Sequence, residues 1–132
     1  MPTAQEQFWA GPFGDSYGKR NRLDWRSRVP FWQDILDRTK ARSVLEVGCN
    51  IGSNLKAIRQ VGPTIAAWGC DINQSAIEEA SASGLTVYYG SVLDIDAHSP
   101  FGYLGLAARP QFDLVFTCGV LIHIAPADLS QA

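Results

Sequence analysis

The sequence predicts an α/β fold: one doubly wound, mostly parallel sheet preceded by a helical segment. Three observations carry that prediction. Apolar runs of strand length occur at Ser43–Val47, Ile65–Cys70, Leu85–Tyr89 and Phe112–Thr117, and helical patterns separate the first three. The first, second and fourth runs are almost continuously apolar, as in strands covered on both faces. Turn signals at Gly62-Pro63, Gly84 and Gly90-Ser91 punctuate the alternation, and strand–helix–strand units of this length close as parallel pairs with right-handed crossovers.

Residues 1–42 carry no strand signal. Gln5–Ala10 is short and aromatic, Gly11-Pro12-Phe13-Gly14-Asp15 reads as a turn cluster, and Ser16–Asp24 is polar and compatible with a helix. Pro30 suits a helix start, and Phe31, Trp32, Ile35 and Leu36 recur at helical spacing through Arg38. Two or three helices are expected. Phe8, Trp9, Trp25 and Trp32 cover one face of the sheet in the first reading. In the alternative they form a lid over the site, with Tyr17, Arg20 and Asn21 beside the ligand. The segment holds eight basic and five acidic side chains, the remainder three and eight. Lys19, Arg20, Arg22, Arg26 and Arg28 read as a solvated helical face, with the alternative that one meets a ligand carboxylate.

The first strand, Ser43–Val47, runs into Gly48-Cys49-Asn50-Ile51-Gly52 and a helix over Ser53–Gln60. Asp71 follows the second strand, Asn73 suits the cap of a helix over Gln74–Ser83, and Gly84 ends it. The third strand closes at Gly90-Ser91. Residues 95–111 read as a long connection with a helical turn near Phe101–Ala107. Phe112–Thr117 is the fourth strand, with Asp113 at its start as a structural anchor. Gly119–Ile124 begins a helical or turn segment, and Pro126 with Asp128 opens a further helix.

A chain of 132 residues predicts one fold unit. Its net charge of −2 gives no general attraction to nucleic acid, so none is expected as a partner. No apolar run reaches about 18 residues, so no membrane span is expected. Met1–Glu6 lacks a basic-then-apolar leader, which makes the cytoplasm the expected location. Cys49, Cys70 and Cys118 are odd in number and widely spaced, so they read as small strand-end residues, and no metal site is expected.

Ligands of doubly wound sheets sit beyond the carboxyl ends of the strands. Here those ends carry Glu46, Asp71, Gly90-Ser91-Val92 and Thr117-Cys118-Gly119. Glycine gives the turn after Glu46 its left-handed conformations and a close approach of backbone to ligand, and the following helix offers unpaired N–H groups. Asp71 lies nineteen residues after Gly52, where an acid can accept two hydrogen bonds from ribose hydroxyls. Its alternative role is a helix cap.

At Glu46-x-Gly48-x-Asn50-x-Gly52 the chain resembles the class I S-adenosylmethionine-dependent methyltransferases, whose first motif is acid-x-Gly-x-Gly-x-Gly. Asn50 replaces the middle glycine, and Asn tolerates left-handed backbone. The resemblance implies a Rossmann-like fold over residues 43–132 and S-adenosyl-L-methionine as cofactor, with residues 1–42 as a helical cap or lid. It implies that Glu46, Gly48, Cys49, Asn50, Ile51 and Gly52 surround the methionine portion, with Tyr17 near its end. Asp71 then grips the ribose, Ile72 packs on the adenine face, and Ser91 and Val92 meet its edge. Ser91 stands where the family often has an Asp facing the adenine amino group; its hydroxyl can accept that bond more weakly, and Asp94 is either the substitute acid or a turn residue or helix cap. Cys118 falls near the sulfonium. His123 is the tempting base, weighed against a structural role, and His98 reads as inert.

A longer likeness runs through Glu6-x-Phe8-Trp9-Ala10-Gly11-x-Phe13-Gly14-Asp15-x-Tyr17, Arg20-Asn21 and Gly119-Val120-Leu121-Ile122-His123-Ile124. There the chain resembles methylases associated with pseudaminic acid and related nonulosonate biosynthesis, which implies a small-molecule acceptor, a sugar or sugar nucleotide. Members of the wider family usually continue beyond a fourth strand. The fold is therefore expected to be incomplete at its C-terminus, with strand four an apolar edge liable to self-association or to pairing with a partner chain. The expected activity is methyl transfer. The rivals are a non-catalytic cofactor- or partner-binding module and a nicotinamide-dependent oxidoreductase, against which Glu46 and Asn50 both speak.

Overall fold

The computed structural model describes residues 1–94 and 111–132. The helical turn expected near 101–107, and His98, lie outside the described residues.

Four strands form one parallel sheet: β1 (Ser43–Val47), β2 (Ala66–Asp71), β3 (Thr86–Tyr89) and β4 (Leu114–Thr117), in the order β3-β2-β1-β4. Leu45 of β1 lies opposite Trp68 of β2 and Val115 of β4. The order reverses between β1 and β4, and such a switch point opens a crevice at the strand ends. Five helices accompany the sheet among the described residues: α1 (Ala4–Ala10), α2 (Pro12–Arg20), α3 (Val29–Thr39), α4 (Ser53–Val61) and α5 (Gln74–Ala82).

Period-two alternation along β1 divides the core. Val44 faces Trp32 and Leu36 of α3 and Ala57 and Ile58 of α4. Leu45 and Val47 point the other way, with Cys70, Trp68, Tyr88 and Phe112. Cys49, Leu55, Ile77, Ala80 and Leu85 fill the space between α4, α5 and the sheet. Burying each large aliphatic side chain stabilises the fold by roughly 1.5–3 kcal/mol. Asn73 caps α5 by accepting the Ala76 N–H at 2.9 Å. Asp113 accepts the backbone N–H groups of Arg42 (2.8 Å) and Ser43 (3.2 Å), so it is the anchor expected, and it fixes the register of β4 against β1.

The N-terminal segment departs from expectation. Gly11 to Asp15 is no turn cluster: Gly11 alone separates α1 from α2, and Pro12 occupies the first turn of α2, where its missing N–H costs nothing. Tertiary packing overrides the breakers. Phe13 stacks on Phe8 at 4.1 Å, and Trp9 meets Phe13 and Tyr17 edge-on at 5.2 Å each. The helix ends at Arg20, short of Asp24, and a 3-10 turn over Trp25–Arg28 leads into α3. Trp25 and Trp32 do cover the sheet, whereas Phe8 is exposed and Trp9 lines the site. Beyond β4 there are short 3-10 turns, Leu121–His123 and Leu129–Gln131, rather than α-helices.

Candidate cofactor site

A cavity of about 370 Å³ opens at the carboxyl ends of all four strands, a size suited to a small organic ligand. Its floor is the turn after β1. Gly48 (φ 79°), Asn50 (φ 50°) and Gly52 (φ 81°) are all left-handed. A Cβ on Gly48 would collide with Val120, and one on Gly52 with Leu85. The N–H groups of Gly48 and Cys49 both donate to the Cys70 carbonyl, at 2.8 and 2.9 Å, which pins the turn to β2. Gly52 itself does not line the cavity. It is buried behind the wall against Leu85, where its φ turns the chain into α4.

Asp71 borders the cavity at the end of β2. Its Oδ2 accepts the Asn50 N–H at 2.7 Å and its Oδ1 the Asn73 N–H at 2.9 Å. Burial pushes its carboxyl up, while the bonds from Asn73, Asn50 and Ile72 oppose that shift. Asp71 is not the helix cap; Asn73 is. Ile51, Ile72 and Val92 also line the cavity.

Glu46 is 2% exposed, yet it reaches the cavity. The Asn54 amide donates to its Oε1 at 2.7 Å. The Asn54 oxygen in turn accepts Arg28 at 2.7 Å and the Trp32 indole N–H at 3.1 Å. Burial raises the Glu46 carboxyl to about 8, against the pull of the Asn54 bond and the Arg28 charge. Its Oε2 is buried with no partner among the described residues. Asn54 escaped the sequence reading, although a polar residue on the inward face of α4, eight residues past the acid, was the signal for it. Of the basic residues singled out, Arg28 lines the cavity. Arg22 pairs with Glu79 at 2.8 and 3.0 Å, Arg26 with Asp24 at 3.2 Å, and Arg20 lies over the Phe13 ring.

At the end of β3 the Ser91 hydroxyl donates to Glu6 of α1 and accepts the Leu93 N–H at 3.1 Å. Asp94 does not line the cavity; Glu6 does. Burial would raise the Glu6 carboxyl, but the bonds from Ser91 and Thr3 outweigh it and hold the group below its ordinary value. Across the cavity, Cys118 and Gly119 follow β4, and Tyr17 enters from α2. The His123 ring packs at 4.5 Å from Trp9, and no hydrogen bond from a described residue orients it. Cys49 borders the cavity, but it is buried in the apolar layer between α4 and α5, and burial pushes its thiol far up. No group of three or more His, Cys, Asp or Glu side chains suited to a metal occurs among the described residues.

The donor set fits a nucleoside that carries an amino acid. One carboxylate, Asp71, borders the cavity, a second buried acid, Glu46, has an oxygen without a partner among the described residues, and the floor at Gly48 has no room for a side chain. These features define a doubly wound, nucleoside-binding domain. Residues 45–132 match the methyltransferase domain family, and the chain belongs to it. The chain is 32% identical, over 90% of its length, to a tRNA U34 carboxymethyltransferase of Idiomarina loihiensis, of which it covers 37%. Among solved structures it is similar to the sugar N-methyltransferase KedS8 from Streptoalloteichus (TM-score 0.65, 20% identity), covering 92% of this chain and 46% of that one. It is also similar to S-adenosylmethionine-bound CalS10, an amino pentose methyltransferase from Micromonospora echinaspora (TM-score 0.64, 16% identity), with 92% and 48% covered. The chain thus spans about half the length, or less, of these proteins. The tRNA relative leaves the expected exclusion of nucleic acid without support. Among the described residues no helix is long and apolar enough to cross a membrane.

Proposed function

We propose that the cavity binds S-adenosyl-L-methionine and that this chain supplies the cofactor-binding part of a methyltransferase acting on a sugar or sugar nucleotide of nonulosonate assembly. The single observation that carries the reading is the bond from the Asn50 N–H to Asp71 at 2.7 Å, which joins the glycine turn and the acid into one rim of one cavity. Asp71 accepts the ribose hydroxyls through its remaining lone pairs. Gly48, Asn50 and Ile51 admit the methionine portion, Glu46 meets its amine, and Arg28 its carboxylate. Ile72 and Val92 hold the adenine.

The cofactor supplies a methyl group on a positively charged sulfur, which leaves as a neutral thioether when an acceptor lone pair takes the methyl. Cys118, Gly119, Tyr17 and Trp9 shape the space behind that methyl and exclude water, so alignment contributes much of the acceleration. His123 takes the proton where the acceptor is a hydroxyl. The helical segment over 1–42 serves as the lid. The sugar assignment draws on the N-terminal motif likeness and on sugar-modifying enzymes among the structural neighbours.

Transfer of labelled methyl to a panel of sugars and sugar nucleotides tests the reading. Label on one of them is expected. Cofactor binding without transfer to any of them would leave a binding module instead. A second reading, a tRNA base as acceptor, is favoured by the identity to the carboxymethyltransferase. Mass analysis of nucleosides after incubation with tRNA distinguishes it.

A further inference from the structure

We propose that Glu6, on the first helix, supplies the carboxylate that recognises the adenine amino group, at a strand end whose own residue is the uncharged Ser91. The inference rests on the cofactor assignment above. A hydroxyl has one proton, and that of Ser91 goes to Glu6, while its oxygen already accepts the Leu93 N–H. What Ser91 retains for an amino group is one lone pair of a neutral oxygen, weaker than a carboxylate.

Glu6 brings that carboxylate to the same wall from a point 85 residues distant in sequence. Its Oε2 accepts the Thr3 N–H at 2.6 Å, and its Oε1 accepts Ser91. A carboxylate offers about four acceptor sites, so Glu6 keeps room for a further donor beside Thr3 and Ser91. The bonds that hold Glu6 ionised also make it a pure acceptor. It attracts an amino group and repels a carbonyl oxygen at the same ring position.

The helix is held against the start of α5. The Asn73 amide donates to the Trp9 carbonyl at 3.1 Å and to Asp15 at 2.9 Å, tying α1 and α2 to the start of α5. Among the described residues the other carboxylates that line the cavity are Glu46, in β1, and Asp71, at the end of β2, while Asp94 does not line it.

The test is calorimetric binding of S-adenosylhomocysteine and of S-inosylhomocysteine, in which a carbonyl replaces the amino group, to the full 132-residue chain. The native protein favours the adenosyl ligand by about 10–100-fold. Glu6→Gln lowers that ratio by about tenfold, since an amide serves either partner. Adding Ser91→Asp to the Glu6→Gln chain returns a carboxylate to the spot and restores the preference. A Glu6→Gln chain that loses affinity for both ligands by the same factor overturns this inference and leaves the proposed function standing. Native protein that binds neither ligand overturns both.

Discussion

The backbone N–H of Asn50 donates to the Asp71 carboxylate at 2.7 Å, so the glycine turn after β1 and the end of β2 are held as one unit. The Asn73 N–H occupies the other carboxylate oxygen at 2.9 Å. Three consequences of such a rim are preorganisation of the turn, a fixed direction for the remaining lone pairs, and sensitivity of the site to any change at position 71.

Asn54 is the hub of the buried polar network beneath the cavity. It bonds Glu46, Arg28 and Trp32 at 2.7, 2.7 and 3.1 Å. Asn54→Ala strands the buried Glu46 oxygen and the indole N–H together. A loss of about 1–3 kcal/mol of stability is expected for each stranded buried group at most, read as a lower midpoint in denaturant unfolding. An unchanged midpoint would remove Asn54 from the account.

Stability depends on pH through Glu46. Burial raises its carboxyl from 4.5 to about 8 in the folded chain. Between those values the folded state binds more protons than the unfolded state, so stability is full below about pH 4.5 and falls as pH rises through about 8. Asp71, also raised by burial, adds a decline of the same sign. Glu46→Gln flattens the profile between about pH 4.5 and 8. Thermal melts across pH 5–9 check this, and an equally steep decline in the variant contradicts it.

His123 lines the cavity against Trp9, and in the proposed function it serves the acceptor and not the adenosine. His123→Gln therefore lowers kcat for a hydroxyl acceptor by about 10²–10⁴-fold, with cofactor affinity unchanged. A fall in cofactor affinity of the same size would return His123 to a packing role against Trp9.

β4 pairs with β1 on one side only among the described residues, and its Val115 is 57% exposed. An apolar edge of this kind pairs with other chains. Sedimentation is expected to show concentration-dependent association that Val115→Lys reduces. A monomer at all concentrations would contradict the edge assignment.

Much of this was legible in the sequence because it rests on local chemistry. β1 runs over Ser43–Val47 as expected, since Val44, Leu45 and Val47 supply the apolar side chains that a strand covered on both faces needs. Asn73 starts α5 through its side-chain cap, and the left-handed Gly84 follows its end. The failures come from packing. Pro12 and Gly14 signal a turn, yet the Phe8, Trp9, Phe13 and Tyr17 rings lock a helix there. Gly52 belongs to the motif, but its place behind the wall depends on Leu85, thirty-three residues on. Glu6 was visible as part of a motif, whereas its meeting with Ser91 depends on how α1 docks, which no spacing encodes.

Titration calorimetry of S-adenosylhomocysteine into the native chain and into Asp71→Ala tests the central claim most directly. The native protein is expected to bind one equivalent, and the variant to bind more weakly by about 1–3 kcal/mol, the worth of one or two hydrogen bonds to a charged acceptor. Equal affinity in the two proteins, or no binding to the native chain, would contradict the claim that the joined rim of Asn50 and Asp71 holds the cofactor.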